Sequence, residues 1–308
     1  MMDCDVLVIG CGPAGMTAAQ YSARYGRKTI IIDPMPGGQL DLIHKIENYP
    51  GFESISGYEL MEKMFNQAES FGVTIKYLTA KSLRKIEDYH FEVDTEEGTT
   101  IAAKSVIVAT GASPRRLGVP GEEEYLGKGV SYCATCDGPF FKNKRVVVVG
   151  GGDTALTDAL YLSEICDEVV LVHRRHEFRA QKVLQDRVHD RANILKILGR
   201  TVKSINGNGE KVTGVTLDDG TGVICDGVFV FVGTQPSTEF LNEGLYNVVN
   251  LINGYIFTNF TDAVSRTSMT GVFACGDVRN NTFRQVATAV GDGARAAYDA
   301  EEYLSGRV

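Results

Sequence analysis

Apolar residues in this chain fall into short unbroken runs that stop at glycine, and stretches with helical spacing lie between them. Asp5-Val6-Leu7-Val8-Ile9 is the first run and stops at Gly10. Such a run, without polar alternation, predicts a strand buried on both faces, as in a parallel sheet. Past Gly12, the residues Ala14, Thr17, Ala18, Tyr21 and Ala23 keep helical spacing to about Gly26. Thr29-Ile30-Ile31-Ile32-Asp33 predicts a second strand, which completes a βαβ unit. The pattern returns with Arg145-Val146-Val147-Val148-Val149, a helix over 154–165, and Glu168-Val169-Val170-Leu171-Val172-His173. Gly10 and Gly150 open the two glycine-rich turns and stand 140 residues apart. In each copy 18 residues separate the end of the turn motif (Gly15, Ala155) from the end of the second strand (Asp33, His173). A single repeat of this length implies two similar domains rather than a solenoid.

Three more apolar runs end in or near glycine, at 106–111, 228–233 and 272–277. The first two close the two domains. The third comes after the second domain is finished, so the chain is expected to return there to the first. Ser113-Pro114 and Gln235-Pro236 are the expected crossings, because proline biases the residue before it toward extended backbone. The expected fold is α/β, with two Rossmann-like nucleotide-binding domains of three layers (ββα), the second inserted into the first. Residues 1–112 and 240–308 form the discontinuous domain and 116–236 the inserted one.

Composition adds exclusions. With 308 residues the chain can hold two cores, and 44% hydrophobic with 23% charged residues is ordinary for a globular protein. The net charge of -8 argues against nucleic acid as the main partner, since phosphate binding wants a basic footprint. Met1-Met2-Asp3-Cys4-Asp5 is acidic where a signal peptide would be basic, and no apolar run reaches membrane-spanning length. Seven cysteines occur, and Cys133 and Cys136 form the one closely spaced pair. An odd count with one pair points to a reducing, cytoplasmic setting rather than a secreted disulfide framework.

The candidate chemistry lies in three places. Gly10, Gly12, Pro13, Ala14 and Gly15 form a strand-turn-helix fingerprint in which glycines admit a pyrophosphate to the helix N-terminus, and Asp33 is placed to accept from ribose hydroxyls. Gly150, Gly152, Asp153, Thr154 and Ala155 form the second fingerprint. Where the first has its acid, the second has His173, Arg174 and Arg175, with Arg179 one helical turn on. Such a cluster attracts a 2′-phosphate and favours NADPH over NADH. Between the fingerprints lies Cys133-Ala134-Thr135-Cys136-Asp137, a dithiol able to hold two electrons as an open or closed S–S bond. Asp137 can act as the acid that protonates a leaving thiolate, if burial raises its pKa, or simply form the turn before Gly138-Pro139. A zinc site would need four ligands, and no second CxxC or HxxxH is present. Cys4, Cys11, Cys166, Cys225 and Cys275 lie among apolar residues and read as packed side chains.

With these residues in view, the chain resembles the low-molecular-weight thioredoxin reductases of bacteria and archaea, of the class II pyridine nucleotide-disulfide oxidoreductase family. The resemblance covers nearly the whole length, through GCGPAG at 10–15, GGQL at 37–40, ENYPG at 47–51, ATGA at 109–112, CATCDG at 133–138, GGGDTA at 150–155, HRRHEFRA at 173–180, GVFACGD at 271–277 and Arg284-Gln285. It implies FAD on the discontinuous domain and NADPH on the inserted one. Gly37, Gly38, Gln39, Leu40 and Asn48 would lie near the flavin ring. Gly111 and Gly276 would join the FAD site, Asp277 would reach the ribityl or phosphate region, and Arg284, Gln285 and Val286 the ring edge. Cys136 would take electrons from the flavin and Cys133 would form a mixed disulfide with thioredoxin. The family also implies a homodimer and a rotating inserted domain. Cys275 stands where alanine is usual. The residues alone leave two alternatives open, a glutaredoxin-like or peroxidase partner and a slow redox sensor.

Overall fold

The computed structural model describes residues 2–35, 37–42, 46, 48–241, 249–258, 264–281 and 283–307; the side chains of Asp41, Leu42 and Cys136 lie outside this description. The chain forms two compact units, Met1–Ser113 with Gln235–Val308, and Pro114–Thr234. In chain order the first unit begins with β1 (Met2–Ile9), α1 (Pro13–Arg24), β2 (Thr29–Ile32), α2 (Gly57–Ser70), β3 (Thr74–Lys76), β4 (Ala80–Glu87), β5 (His90–Thr95), β6 (Thr100–Val108) and β7 (Ala112–Pro114). The second unit follows with β8 (Val130–Ser131), α3 (Ala134–Asp137), β9 (Arg145–Gly150), α4 (Asp153–Ser163), β10 (Glu168–His173), α5 (Lys182–Asp190), β11 (Ile194–Leu198), β12 (Val202–Gly207), β13 (Val212–Leu217), β14 (Gly222–Ile224) and β15 (Gly227–Phe231). The chain ends with β16 (Thr234–Pro236), β17 (Leu251–Ile252), β18 (Tyr255–Ile256), β19 (Val272–Ala274) and α6 (Val286–Leu304). Among the described residues no helix is long and apolar enough to cross a membrane.

The sheet of the first unit runs β3-β2-β1-β6-β5-β4, with β19 also on β6. β1, β2, β3, β6 and β19 pair in parallel, and β4 and β5 extend the sheet antiparallel. β6 divides its partners along its length: Thr100–Ala103 face β5 and Val106–Val108 face β19. Side chains of β1 alternate between two cores. Val6 and Val8 join Ala14, Ala18, Ala296 and Ala300 on the helix side, while Leu7 and Ile9 join Phe91, Val93 and Val106 on the other. α1 and α6 touch backbone to side: a Cβ on Gly293 would overlap the Ala14 carbonyl oxygen. Residues that return after the second unit therefore complete the first unit's sheet and cover its first helix.

The second unit repeats the arrangement on a smaller scale. Its parallel sheet runs β11-β10-β9-β15-β8. One core packs Val148, Leu171 and Phe229 against α4 residues Ala155, Leu156, Ala159 and Leu162. The other packs Val147, Val170 and Val230 against Ile205, Val215 and Leu217 of the antiparallel β12-β13-β14 layer. This is the expected α/β architecture of two Rossmann-like sheets.

Candidate active site

In the first unit β1 passes directly into α1 through the first fingerprint. Gly10 has φ +108, and a Cβ there would overlap the Ala109 carbonyl oxygen at the end of β6. A Cβ on Gly15 would overlap the Gly10 carbonyl, so glycine at both positions lets α1 sit on the strand ends. Gly12 caps α1 without a side-chain bond, Pro13 follows at the first helical position, and open space lies where a Gly12 side chain would be. The first-turn N–H groups of this helix are thus accessible to an anion. Asp33 stands at the end of β2 and accepts from the backbone N–H of Cys11 (2.7 Å) and of Met35 (2.9 Å). Burial pushes its carboxyl up, against those two bonds.

Of the remaining candidates of this unit, Gly37, Gly38 and Gly276 lie against the same turn. Gly37 donates to the Cys11 carbonyl at 3.3 Å, and a Gly38 Cβ would lie 3.6 Å from the Gly12 Cα. Gln39 Nε2 donates to the Ala112 carbonyl, next to Gly111, while Leu40 is buried in the helix-side core. Asn48 Nδ2 donates to Gln285 Oε1 at 2.9 Å, although 237 residues separate them. Gln285 caps α6 and Val286 begins it. Gly276 has φ +73 and packs on Ala14, and burial raises the neighbouring Asp277 carboxyl. The Arg284 guanidinium lies 4.5 Å from the Tyr255 ring centroid. Sequence reasoning missed the brace behind this turn. Arg279, 3% exposed, pairs with Asp292 at 2.7 Å, and Asp292 also accepts from the Gly276 N–H. The buried Asn281 Oδ1 has no hydrogen-bond partner among the described residues. An open helix start, a half-buried acid at the end of β2 and an acceptor beside Gly276 with no partner among the described residues fit a dinucleotide.

The second fingerprint is built alike. A Cβ on Gly150 would overlap the Phe231 carbonyl oxygen, and would stand 2.6 Å from the Ala155 methyl. Gly152 caps α4 with no side-chain bond and open space beside it, and Thr154 is exposed on the first turn. Three bonds tie the loop after β10 to this turn. Arg179 N–H donates to the Gly151 carbonyl (2.8 Å), and Asp153 accepts from Gln181 N–H (2.7 Å) and Nε2 (3.2 Å). Arg174, Arg175 and Arg179 are exposed. His173 departs from them: it is 5% exposed, with its ring against Gly151 and stacked on Phe178 at 5.7 Å. Burial, and then the neighbouring arginines, push its pKa down, so it is a neutral floor under the turn and not a fourth cation.

The CxxC segment belongs to this unit. Cys133 is half-buried and disulfide-bonded. Its backbone is pinned on both sides: its N–H donates to Ser131 Oγ (3.0 Å), and its carbonyl accepts from Ser131 Oγ (3.1 Å) and from Asp137 N–H (3.2 Å). Thr135 Oγ1 lies 3.4 Å from Cys133 Sγ. Cys136 lies in α3, and its side chain is outside the description. Asp137 ends that helix, half-buried. Preceding the pair, the Tyr132 hydroxyl donates to buried Glu122 (2.8 Å), which also accepts from the N–H groups of Leu117 and Gly118. Behind it, Phe141 meets Phe229 edge-on at 5.3 Å. The other cysteines are free and buried. Burial pushes Cys166 up to about 11, Cys4 and Cys225 up to about 12, and Cys11 and Cys275 upward as well. Among the described residues no cluster of His, Cys, Asp or Glu could hold a metal.

Comparison with known proteins adds three findings. Residues 4–293 match the model of the family described as pyridine nucleotide-disulphide oxidoreductase. A thioredoxin reductase of Listeria monocytogenes is 45% identical over 307 residues, which covers 97% of this chain and 93% of that protein. The solved thioredoxin reductase of Lactococcus lactis is 41% identical with a TM-score of 0.83, covering 98% of this chain and 99% of the other.

Proposed function

The chain belongs to the pyridine nucleotide-disulphide oxidoreductase family, and we propose that within it the protein is a thioredoxin reductase using FAD and NADPH. The observation that carries this reading is the disulfide-bonded Cys133 on a unit whose fingerprint is followed by arginines, in a chain whose other fingerprint is followed by an acid. Bound FAD supplies a ring that accepts a hydride's two electrons and gives them to a disulfide.

The chain's own residues do the holding and the exchange. Gly10, Gly12, Pro13, Ala14 and Gly15 admit the pyrophosphate of FAD, and Asp33 accepts from its ribose. Gly37, Gly38, Gln39, Leu40, Asn48 and Gly111 would hold the FAD together with Gly276, Asp277, Arg284, Gln285 and Val286. Gly150, Gly152, Asp153, Thr154 and Ala155 receive the NADPH phosphates. Arg174, Arg175 and Arg179 bind the 2′-phosphate, and His173 supports the turn beneath. Cys136 is the electron-receiving sulfur of the pair. Cys133 attacks the thioredoxin disulfide and forms a transient mixed disulfide, with Asp137 as proton donor. Free, buried thiols elsewhere suit a cytoplasmic setting.

We also read the protein as a homodimer. Tyr21, Tyr25, Phe71 and Tyr298 are each 36–44% exposed on the first unit. The Arg24 guanidinium lies 5.7 Å from the Tyr21 ring and 5.5 Å from Phe71, and Arg295 lies 5.4 Å from Tyr298. Tyrosine and arginine are the residue types enriched where protein surfaces meet.

The experiment is substitution Cys133→Ser. Thioredoxin reduction should fall at least a thousandfold while NADPH still bleaches the flavin absorbance. Retained thioredoxin turnover would remove Cys133 from its role.

A further inference from the structure

We propose that the Thr135 hydroxyl is a catalytic hydrogen-bond donor to the Cys133 sulfur, and that it makes Cys133 the thiolate of the redox pair. The inference rests on the reading of Cys133 as the exchanging cysteine. Thr135 Oγ1 stands 3.4 Å from Cys133 Sγ. A hydroxyl and a thiol can each donate to the other. Cys133, however, is disulfide-bonded. Its sulfur carries no hydrogen, so the hydroxyl is the donor.

That contact outlasts the disulfide, because the backbone around it is fixed by other bonds. Ser131 Oγ holds the Cys133 N–H and carbonyl, and Asp137 N–H holds the same carbonyl across the turn that contains Thr135. Opening the S–S bond breaks none of these. The hydroxyl therefore faces the Cys133 sulfur in the reduced enzyme too, and a thiolate accepts a hydrogen bond far better than a disulfide sulfur does.

Negative charge sits on this sulfur at two points in turnover. When two electrons enter the disulfide, the S–S bond breaks and each sulfur keeps an electron pair: Cys136 takes up a proton as a thiol and Cys133 stays a thiolate. In the exchange step that thiolate attacks one sulfur of the partner disulfide. A bond forms between Cys133 and the partner, and the partner's second sulfur leaves as a thiolate. The Thr135 proton stays on its oxygen throughout. A bond donated to the charged form lowers the pKa of the group that carries the charge. An unassisted thiol, with a pKa near ~8.5, is only a few per cent thiolate at pH 7. Lowering that value by about one pH unit multiplies the reactive fraction several-fold. The buried cysteines show the opposite setting, with apolar surroundings and thiols pushed up.

The test is alkylation of Cys133 in the reduced, flavin-loaded enzyme, in a Cys136→Ser background that leaves the exchanging thiol alone. Iodoacetamide labelling is followed by mass spectrometry from pH 5 to pH 10. Thr135→Val should move the midpoint up by about one pH unit and slow labelling at pH 6.5 about five- to tenfold. Thr135→Ser, which keeps the hydroxyl, should hold the original midpoint. In the intact dithiol enzyme Thr135→Val should lower kcat/KM for thioredoxin by a similar factor at pH 7, with recovery toward pH 9. An unmoved midpoint in Thr135→Val and in Thr135→Ala, both folded by circular dichroism, overturns the role. So does an equal shift in Thr135→Ser. A mistaken partner would show itself differently: the unsubstituted enzyme would fail to reduce thioredoxin while the labelling midpoints still separated.

Discussion

Asp158 carries a proton question of its own. It sits half-buried on α4, and burial pushes its carboxyl up to about 7. The folded chain therefore holds this proton between about pH 4 and pH 7 while the unfolded chain does not. For this group, stability is greatest at low pH, falls as pH rises through that window, and is flat above it. Asp158→Asn should leave thermal unfolding unchanged near pH 4 and raise it at pH 8 by about 1–2 kcal/mol, after allowance for partial exposure. Melting curves at the two pH values check this, and an equal gain at both would refute it. Neither Asp158 nor Thr135 stood out in the sequence, because a carboxylate or hydroxyl on a helix gives no sign of what it faces. Asp33 and the fingerprint glycines did stand out, since their spacing follows from the geometry of a strand-turn-helix. His173 shows the limit of spacing: it located the strand end correctly, but β10 is buried along nearly its whole length and took the histidine in with it.

The strand-helix-strand elements were legible because buried parallel strands are written as uninterrupted apolar runs. The antiparallel layers were not read. β5 alternates buried and half-buried residues through His90-Phe91-Glu92-Val93-Asp94-Thr95, a half-polar pattern that a search for continuous runs passes over. The loop after β10 was found by its charges, but its attachment was not, because the bonds from Gly151 and Asp153 join residues 28 apart. That attachment matters for nucleotide choice. A tethered loop presents Arg174 and Arg175 in fixed positions, and charge-assisted bonds to a phosphate contribute roughly 1.5–3 kcal/mol each. Arg174→Ala combined with Arg175→Ala should raise KM for NADPH by ~10- to 100-fold and leave KM for NADH within about twofold. Steady-state kinetics with both nucleotides decide it, and equal losses for both would place the arginines elsewhere.

The return of the chain to its first unit was legible from the strand at 272–277 arriving after the second repeat had closed, whereas the aromatic surface of that unit was invisible in sequence. Tyr21 lies in α1 and Tyr25 just past its end, Phe71 follows α2, Tyr298 lies in α6, and the four meet only in the fold. If this is where two copies join, Tyr25→Glu should shift the protein from dimer to monomer by light scattering at micromolar concentration, with the flavin spectrum kept. A variant that stays dimeric would move the interface elsewhere. The seat of α6 on Ala14 and of β19 on β6 also has a temporal side. On a ribosome, the opening sheet emerges nearly two hundred residues before the pieces that finish it. At about 5–20 residues per second that is a wait of roughly 10–40 s. The later-born middle unit has all its strands in one stretch and can close while its elder is still open, so the nascent chain matures from the inside outward, and chaperones would meet an unfinished amino-terminal sheet.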